Sequence, residues 1–219
     1  MNLWFMNLLN VGGPAMLATW VFWAIFSVVL HELAHGWTAV RCGDRTPMEL
    51  GHLTWNPVVH MGMSGVLMMA LLGVTWGRMP IDPTRMRRWY DEVLVTAAGP
   101  LTNLGLSVLS IVVIVAYAAA TKGQGAASDK VAMFFGIGAI LNMVLAILNM
   151  LPLFPLDGGR ILGVFVPPLA RFYASPTGAM VSMVTLVLVF VFGGDIVFPA
   201  AFRAMDFIQA AALKLFGAG

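Results

Sequence analysis

The chain has 219 residues, of which 60% are hydrophobic and only 10% charged, with a net charge of +2; its mean hydropathy is +0.88. A soluble domain carries about 25% charged residues, so this composition lacks the surface of a water-soluble protein and points to several bilayer spans of roughly 20 residues each. The thin positive charge excludes a nucleic-acid partner, and Cys42 as the only cysteine excludes an internal disulfide and any multi-cysteine metal site.

The first predicted element covers 14–40, long enough for a helix of roughly 40 Å, more than a bilayer core. Its first 17 positions carry no charge; His31, Glu32 and His35 then appear inside it, and Arg41 and Arg45 follow. The start of the chain lacks the positive region of a secretory signal and reads as retained structure. From Cys42 to His60, Gly43, Pro47, Gly51 and Pro57 forbid a continuous helix, and the stretch is expected to be extended or hairpin-like near the membrane. The apolar run 61–77 sits at the lower limit for a span, and Arg78, Arg85, Arg87 and Arg88 follow. Further spans are predicted at 93–119, 131–151 and 178–198, and 121–130 reads as a short polar loop. After Pro199 the chain could form a helix with Arg203, Asp206 and Lys214 on one side, lying in the interface. The expected fold is an all-α polytopic membrane protein forming one membrane-embedded domain over 1–219.

His31-Glu32-Leu33-Ala34-His35 is an H-E-x-x-H sequence. Residues four apart share a helix face, so both imidazoles can reach one metal ion. Glu32 lies about 100° round from His31 and about 60° from His35, beside the pair, where it can take a proton from an attacking water. Three ionisable residues in mid-span are costly unless they pair or bind something. At 1.5 Å per residue, His35 is about 9 Å and His31 about 15 Å inside the end that Arg41 marks.

Two histidines leave a catalytic zinc one protein ligand short. Asp157 has the best context among the remaining acids and histidines, in Asn149-Met-Leu-Pro152-Leu-Phe-Pro155-Leu-Asp157-Gly158-Gly159. Pro152 ends the preceding helix, and the two glycines permit close approach. An aspartate in an ordinary turn just outside the membrane fits the same residues equally well.

Together, His-Glu-Leu-Ala-His and Asn-x-x-Pro-x-x-Pro-Leu-Asp-Gly-Gly resemble the site-2 protease family of intramembrane metalloproteases. The likeness runs from about residue 14 to about 165 and takes in Asn56-Pro57 and Ala98-Gly99-Pro100 with Asn103. It implies one zinc ion (Zn2+) per chain held by His31, His35 and Asp157, with Glu32 as the base. It also implies a three-helix core, matched by 14–40, 93–119 and 131–151, and a membrane re-entrant segment, matched within 43–77. This would be a compact member without an added PDZ module, and His52 stands where arginine is expected. The implied reaction is hydrolysis of peptide bonds in membrane-protein substrates, in a prokaryotic cytoplasmic membrane. A zinc hydrolase of a non-protein substrate and a non-enzymatic zinc-binding protein remain the alternatives.

Asn149 could support the transition state or bond between helices, and Asn56 could contact substrate or make an Asx-turn before Pro57. Asn103 reads as helix-packing chemistry, His60 as a polar cap on a loop, and His52 and Cys42 as interfacial. The arginines after 14–40 place its end in the cytoplasm. For Asp157 to arrive on that side, the chain must cross an even number of times between 41 and 92. The simplest solution has 46–58 dipping in and 61–77 coming back.

Overall fold

A computed structural model of the chain describes residues 4–73, 75–122 and 126–215. Helix α1 runs Trp4–Cys42 but breaks at Gly13, whose φ of 67° only glycine adopts readily. Pro14, with no N–H to leave unpaired, starts the long unbroken part, as the expected start at 14 requires. Helices α4 (Asp91–Thr121) and α5 (Ala126–Met150) complete the three-helix core, and α4 packs extensively on both partners.

The core inverts the pattern of a soluble protein. The face of α4 that is buried carries Val95, Thr96, Gly99, Asn103 and Ser107, mostly small or polar side chains at helical spacing. Leu101, Leu104 and Leu109 point outward. Lipid is as apolar as leucine, so helices pair through close approach and hydrogen bonds instead. Ser107 donates to the Ala139 carbonyl at 2.8 Å. On the other side of α5, Trp23 of α1 donates its indole N–H to the Phe134 carbonyl at 2.8 Å, and its ring lies over Gly138.

Between α1 and α4 the chain makes a round trip. It includes α2 (Thr46–Glu49) and α3 (Pro57–Leu72), the latter broken at Gly62 and closed by Gly73 in the left-handed conformation. Met61 and Met69 of α3 pack with Ala24 and Val28, and the Trp20 indole reaches the Gly73 carbonyl, so α3 follows α1 into the fold. The chain then returns without helix through 75–82. The Asp82 N–H donates to Asp44 at 2.8 Å, and the Arg87 N–H donates to the Cys42 carbonyl at 3.1 Å. The excursion therefore ends where it began.

Its limbs differ from those expected. The inward limb is the helix 57–72 and the outward limb is the extended stretch 75–82, whereas 46–58 and 61–77 were expected in those roles. No strand occurs among the described residues, so the hairpin-like reading of 42–60 is corrected too. Pro47 and Pro57 each start a helix, being tolerated in a first turn, and so mark helix starts in this stretch.

After α5 come α6 (Asp157–Phe165), α7 (Pro167–Ala174), α8 (Pro176–Phe192) and α9 (Gly194–Leu215). Among the described residues, four helices are long and apolar enough to cross a membrane: Phe5–Cys42, Asp91–Thr121, Ala127–Met150 and Gly194–Leu215; the pair α7 and α8, bent by 91°, would make a fifth span. The all-α polytopic membrane fold is thus observed, with its C-terminal part revised. The predicted span 178–198 ends early, at Gly193, and Pro199 lies within α9 instead of ending a helix. Helix α9 is not confined to an interface: it packs on α4 and α5, burying Val197, Ala201 and Ala212.

Candidate metal centre

His31, Glu32, His35 and Asp157 are all more than nine-tenths buried. One turn of α1 brings the two imidazoles together, with Nε2 facing Nε2 at 3.0 Å. Asp157 arrives from α6, its Oδ2 lying 3.2 Å from His31 Nε2 and 3.4 Å from His35 Nε2. Its delivery depends on the glycines that follow it. A Cβ on Gly158 would collide with the Met150 and Leu151 carbonyls, and one on Gly159 with the Leu153 backbone. Only bare backbone lets the first turn of α6 tuck under the end of α5.

The hydrogen-bond partners outside the cluster decide what it can hold. His35 Nδ1 lies 2.7 Å from the Val95 carbonyl, and His31 Nδ1 lies 2.5 Å from Asn103 Oδ1. Both outer nitrogens face acceptors, so both carry the hydrogen and both inner Nε2 atoms present lone pairs. Asp157 Oδ2, buried against them, has no hydrogen-bond partner. Two neutral imidazole nitrogens and a carboxylate oxygen converging in this way can form the donor set of a cation. These ligand atoms all lie within 4.8 Å of one another. His₂-carboxylate sets of this kind suit zinc and leave one position free.

Gly99 of α4 closes the other side. A Cβ there would stand 2.5 Å from the Nε2 atoms of both histidines. Glu32 lies beside the cluster against the returning stretch, where a Cβ on Gly77 would come within 2.5 Å of its Oε1. An apolar cleft of about 230 Å3 opens nearby, lined by Trp20, Ala24 and Val28 of α1 and by Leu141, Leu145 and Leu148 of α5. Positions 20, 24 and 28 fall on one helix face whose next turn is Glu32.

The secondary candidates separate. Asn56 caps α3, accepting from the Val58 N–H at 3.0 Å, which is the Asx-turn alternative. Asn149 donates to the Leu145 carbonyl of its own helix at 3.0 Å. His60 is buried and lies 2.7 Å from the Thr54 carbonyl, holding the loop before α3. Asn103, read from sequence as packing chemistry, bonds a histidine of the cluster and donates to Asn142 at 2.9 Å. Its signal was an uncharged polar residue on the same face as Val95, Gly99 and Ser107.

The chain is similar to known proteins. The model of "Peptidase family M50" matches residues 114–192, which include Asp157. The Bacillus subtilis protein named "Putative zinc metalloprotease YwhC" is 36% identical over 202 residues, covering 89% of each chain. Rip2 of Mycolicibacterium smegmatis, named in the same way, is 33% identical over 61% of this chain and 52% of its own. "Zinc metalloprotease MJ0392" of Methanocaldococcus jannaschii is 25% identical over 68% of this chain and 37% of its own. No solved structure matches. With more than a third of its residues shared with YwhC over nearly the whole length of both, this chain belongs to peptidase family M50, the site-2 proteases.

Proposed function

We propose that the chain acts as one membrane-embedded zinc endopeptidase, with His31, His35 and Asp157 as the metal ligands and Glu32 as the proton carrier. The observation that carries this reading is the convergence of His31 Nε2, His35 Nε2 and the unpartnered Asp157 Oδ2 in a buried site. These three residues would hold zinc, which when bound would lower the pKa of a water and polarise the scissile carbonyl. Glu32, fixed on the same helix turn, takes the proton of the attacking water and passes it to the leaving amine. Val95 and Asn103 hold the imidazoles with their lone pairs inward throughout.

The substrate class follows from the surroundings. The cleft whose α1 wall ends at Val28, one turn before Glu32, is lined by leucine, valine and tryptophan side chains, which suit a membrane-embedded protein segment. A helical segment hides its own carbonyls, so it must unwind before its peptide bond reaches the site. Arg41, Arg45, Arg85, Arg87 and Arg88 gather at the end of the core nearest the site, which by the positive-inside rule faces the cytoplasm of a prokaryotic cell.

The test uses the full chain in lipid vesicles with a transmembrane substrate. Glu32→Gln should keep its zinc and lose about 10²- to 10⁴-fold of its cleavage rate. Unchanged cleavage, or zinc retained after His35→Ala combined with Asp157→Ala, would overturn the assignment. Cleavage of small esters but of no membrane protein would move the chain to a different hydrolase class.

A further inference from the structure

We propose that Asn142 of α5, which touches none of the three ligands, determines which nitrogen of His31 carries the hydrogen and so keeps the Nε2 lone pair for the metal, acting through Asn103. The two asparagines are positioning residues, and the inference rests on the zinc reading of the site.

The argument begins at an atom whose role admits no choice. The Gly138 backbone carbonyl can only accept, so the Asn142 nitrogen 2.9 Å from it is a donating amide N–H. That fixes the Asn142 side chain, and its Oδ1 must then be the end turned toward Asn103. At 2.9 Å from that oxygen, Asn103 must present its own N–H. Its Oδ1 is thereby turned to His31, 2.5 Å from Nδ1, and His31 must carry its hydrogen there. The Nε2 lone pair is left facing His35 and Asp157. Neither Asn103 nor Asn142 is exposed at all, so no water stands in for a missing partner.

His35 offers a contrast within the same cluster. Its Nδ1 meets the Val95 backbone carbonyl, which cannot exchange acceptor for donor. His31 meets a side-chain amide, which can. Were Asn103 to turn over, its N–H would meet Nδ1 and the hydrogen would move to Nε2, into the place of the metal. Asn142 prevents this, because the turned-over Asn103 would set oxygen against oxygen. The relay also joins α1, α4 and α5, so the packing of the three core helices is written into the state of one ring nitrogen.

The measurement is made on the full chain carrying Glu32→Gln, so that zinc binding is read without hydrolysis. Nitrogen-15 spectra of the metal-free protein should show His31 and His35 both with hydrogen on Nδ1. Adding Asn142→Leu should weaken zinc, measured by chelator competition, by about 10- to 100-fold. It should also move His31 toward the Nε2–H form while leaving His35 as it was. Asn142→Asp should restore the parent affinity. Buried in an apolar setting, that carboxyl takes up a proton and offers an O–H to Gly138 and an oxygen to Asn103. A merely structural role would lower thermal stability without moving the His31 signal. The proposal is overturned if Asn142→Leu binds zinc as tightly as its parent, or if His31 of the metal-free parent carries no hydrogen on Nδ1. Should Asn142→Leu fail to fold, the parent spectrum and Asn142→Asp still decide. Cleavage that survives Glu32→Gln would sink the protease reading but leave these zinc and nitrogen readouts intact.

Discussion

The three-helix core and the arm between Cys42 and Arg87 handle polar groups in opposite ways. In the core, the bonds that hold the two histidines come from far along the chain: His31 and Asn103 are 72 residues apart, His35 and Val95 60, Asn103 and Asn142 39. In the arm they are mostly local: Asn56 bonds residues two away on either side, Thr84 bonds Asp82, and His60 meets Thr54 six residues back. The arm also bends at Gly51, Gly62 and Gly73, all with positive φ. Long-range bonds tie the ligands to the packing of whole helices, whereas local bonds let the arm keep its own shape while resting against Glu32. Changes in the core should therefore act on the metal, and changes in the arm on turnover.

The sharpest way to break that contrast is Gly99→Ala, since the new Cβ would stand 2.5 Å from Nε2 of both histidines, the atoms we propose bind zinc. Zinc content should collapse and activity fall at least about a hundredfold, the scale of a 1 Å misplacement in a site. Gly105→Ala, on the same helix with nothing within 4 Å of its Cβ, should leave both unchanged. Metal analysis and a cleavage assay check the pair.

A smaller effect is expected from Gly77→Ala in the arm, whose Cβ would come within 2.5 Å of Glu32 Cγ and Oε1. The cleavage rate should drop by about tenfold, a fraction of what removing a general base costs, with zinc content unaltered. Loss of zinc in this variant would show that the arm is as tightly coupled to the ligands as the core is. The least effect belongs to Asn56→Ala, which removes the α3 cap and should cost about 1 kcal/mol of stability with little change in cleavage. Asn56→Asp should recover the stability in thermal melts. Cleavage that falls with Asn56→Ala while the melting temperature holds would give Asn56 a substrate contact instead.

Much of the site was legible in the chain because its chemistry is local. The H-E-x-x-H spacing on an apolar helix brings two imidazoles together by helix geometry alone, and ionisable residues at that depth need a partner. Asp157 was half legible: its glycines and prolines announce an irregular backbone, but a turn outside the membrane fits them too. The C-terminal region was misread because Pro199 was taken as a stop, while Gly193-Gly194 supplied the break and α9 continued through the proline. The arm's limbs were offset for a related reason, since glycines such as Gly62 and Gly73 divide one apolar run at positions that periodicity does not reveal.

By itself, then, the sequence determined that the chain lives in a bilayer, that Pro14 opens the long first span, and that His31, Glu32 and His35 share one patch of helix. These follow from composition, from proline and glycine geometry and from the helical repeat, all of which act over a few residues. Only the tertiary structure decided that Gly99 must lack a side chain, that Gly77 lies against Glu32, and that Asn103 and Asn142 stand behind His31. Those contacts join segments separated by dozens of residues, and close packing between helices, which no local pattern encodes, is what brings them within hydrogen-bonding distance.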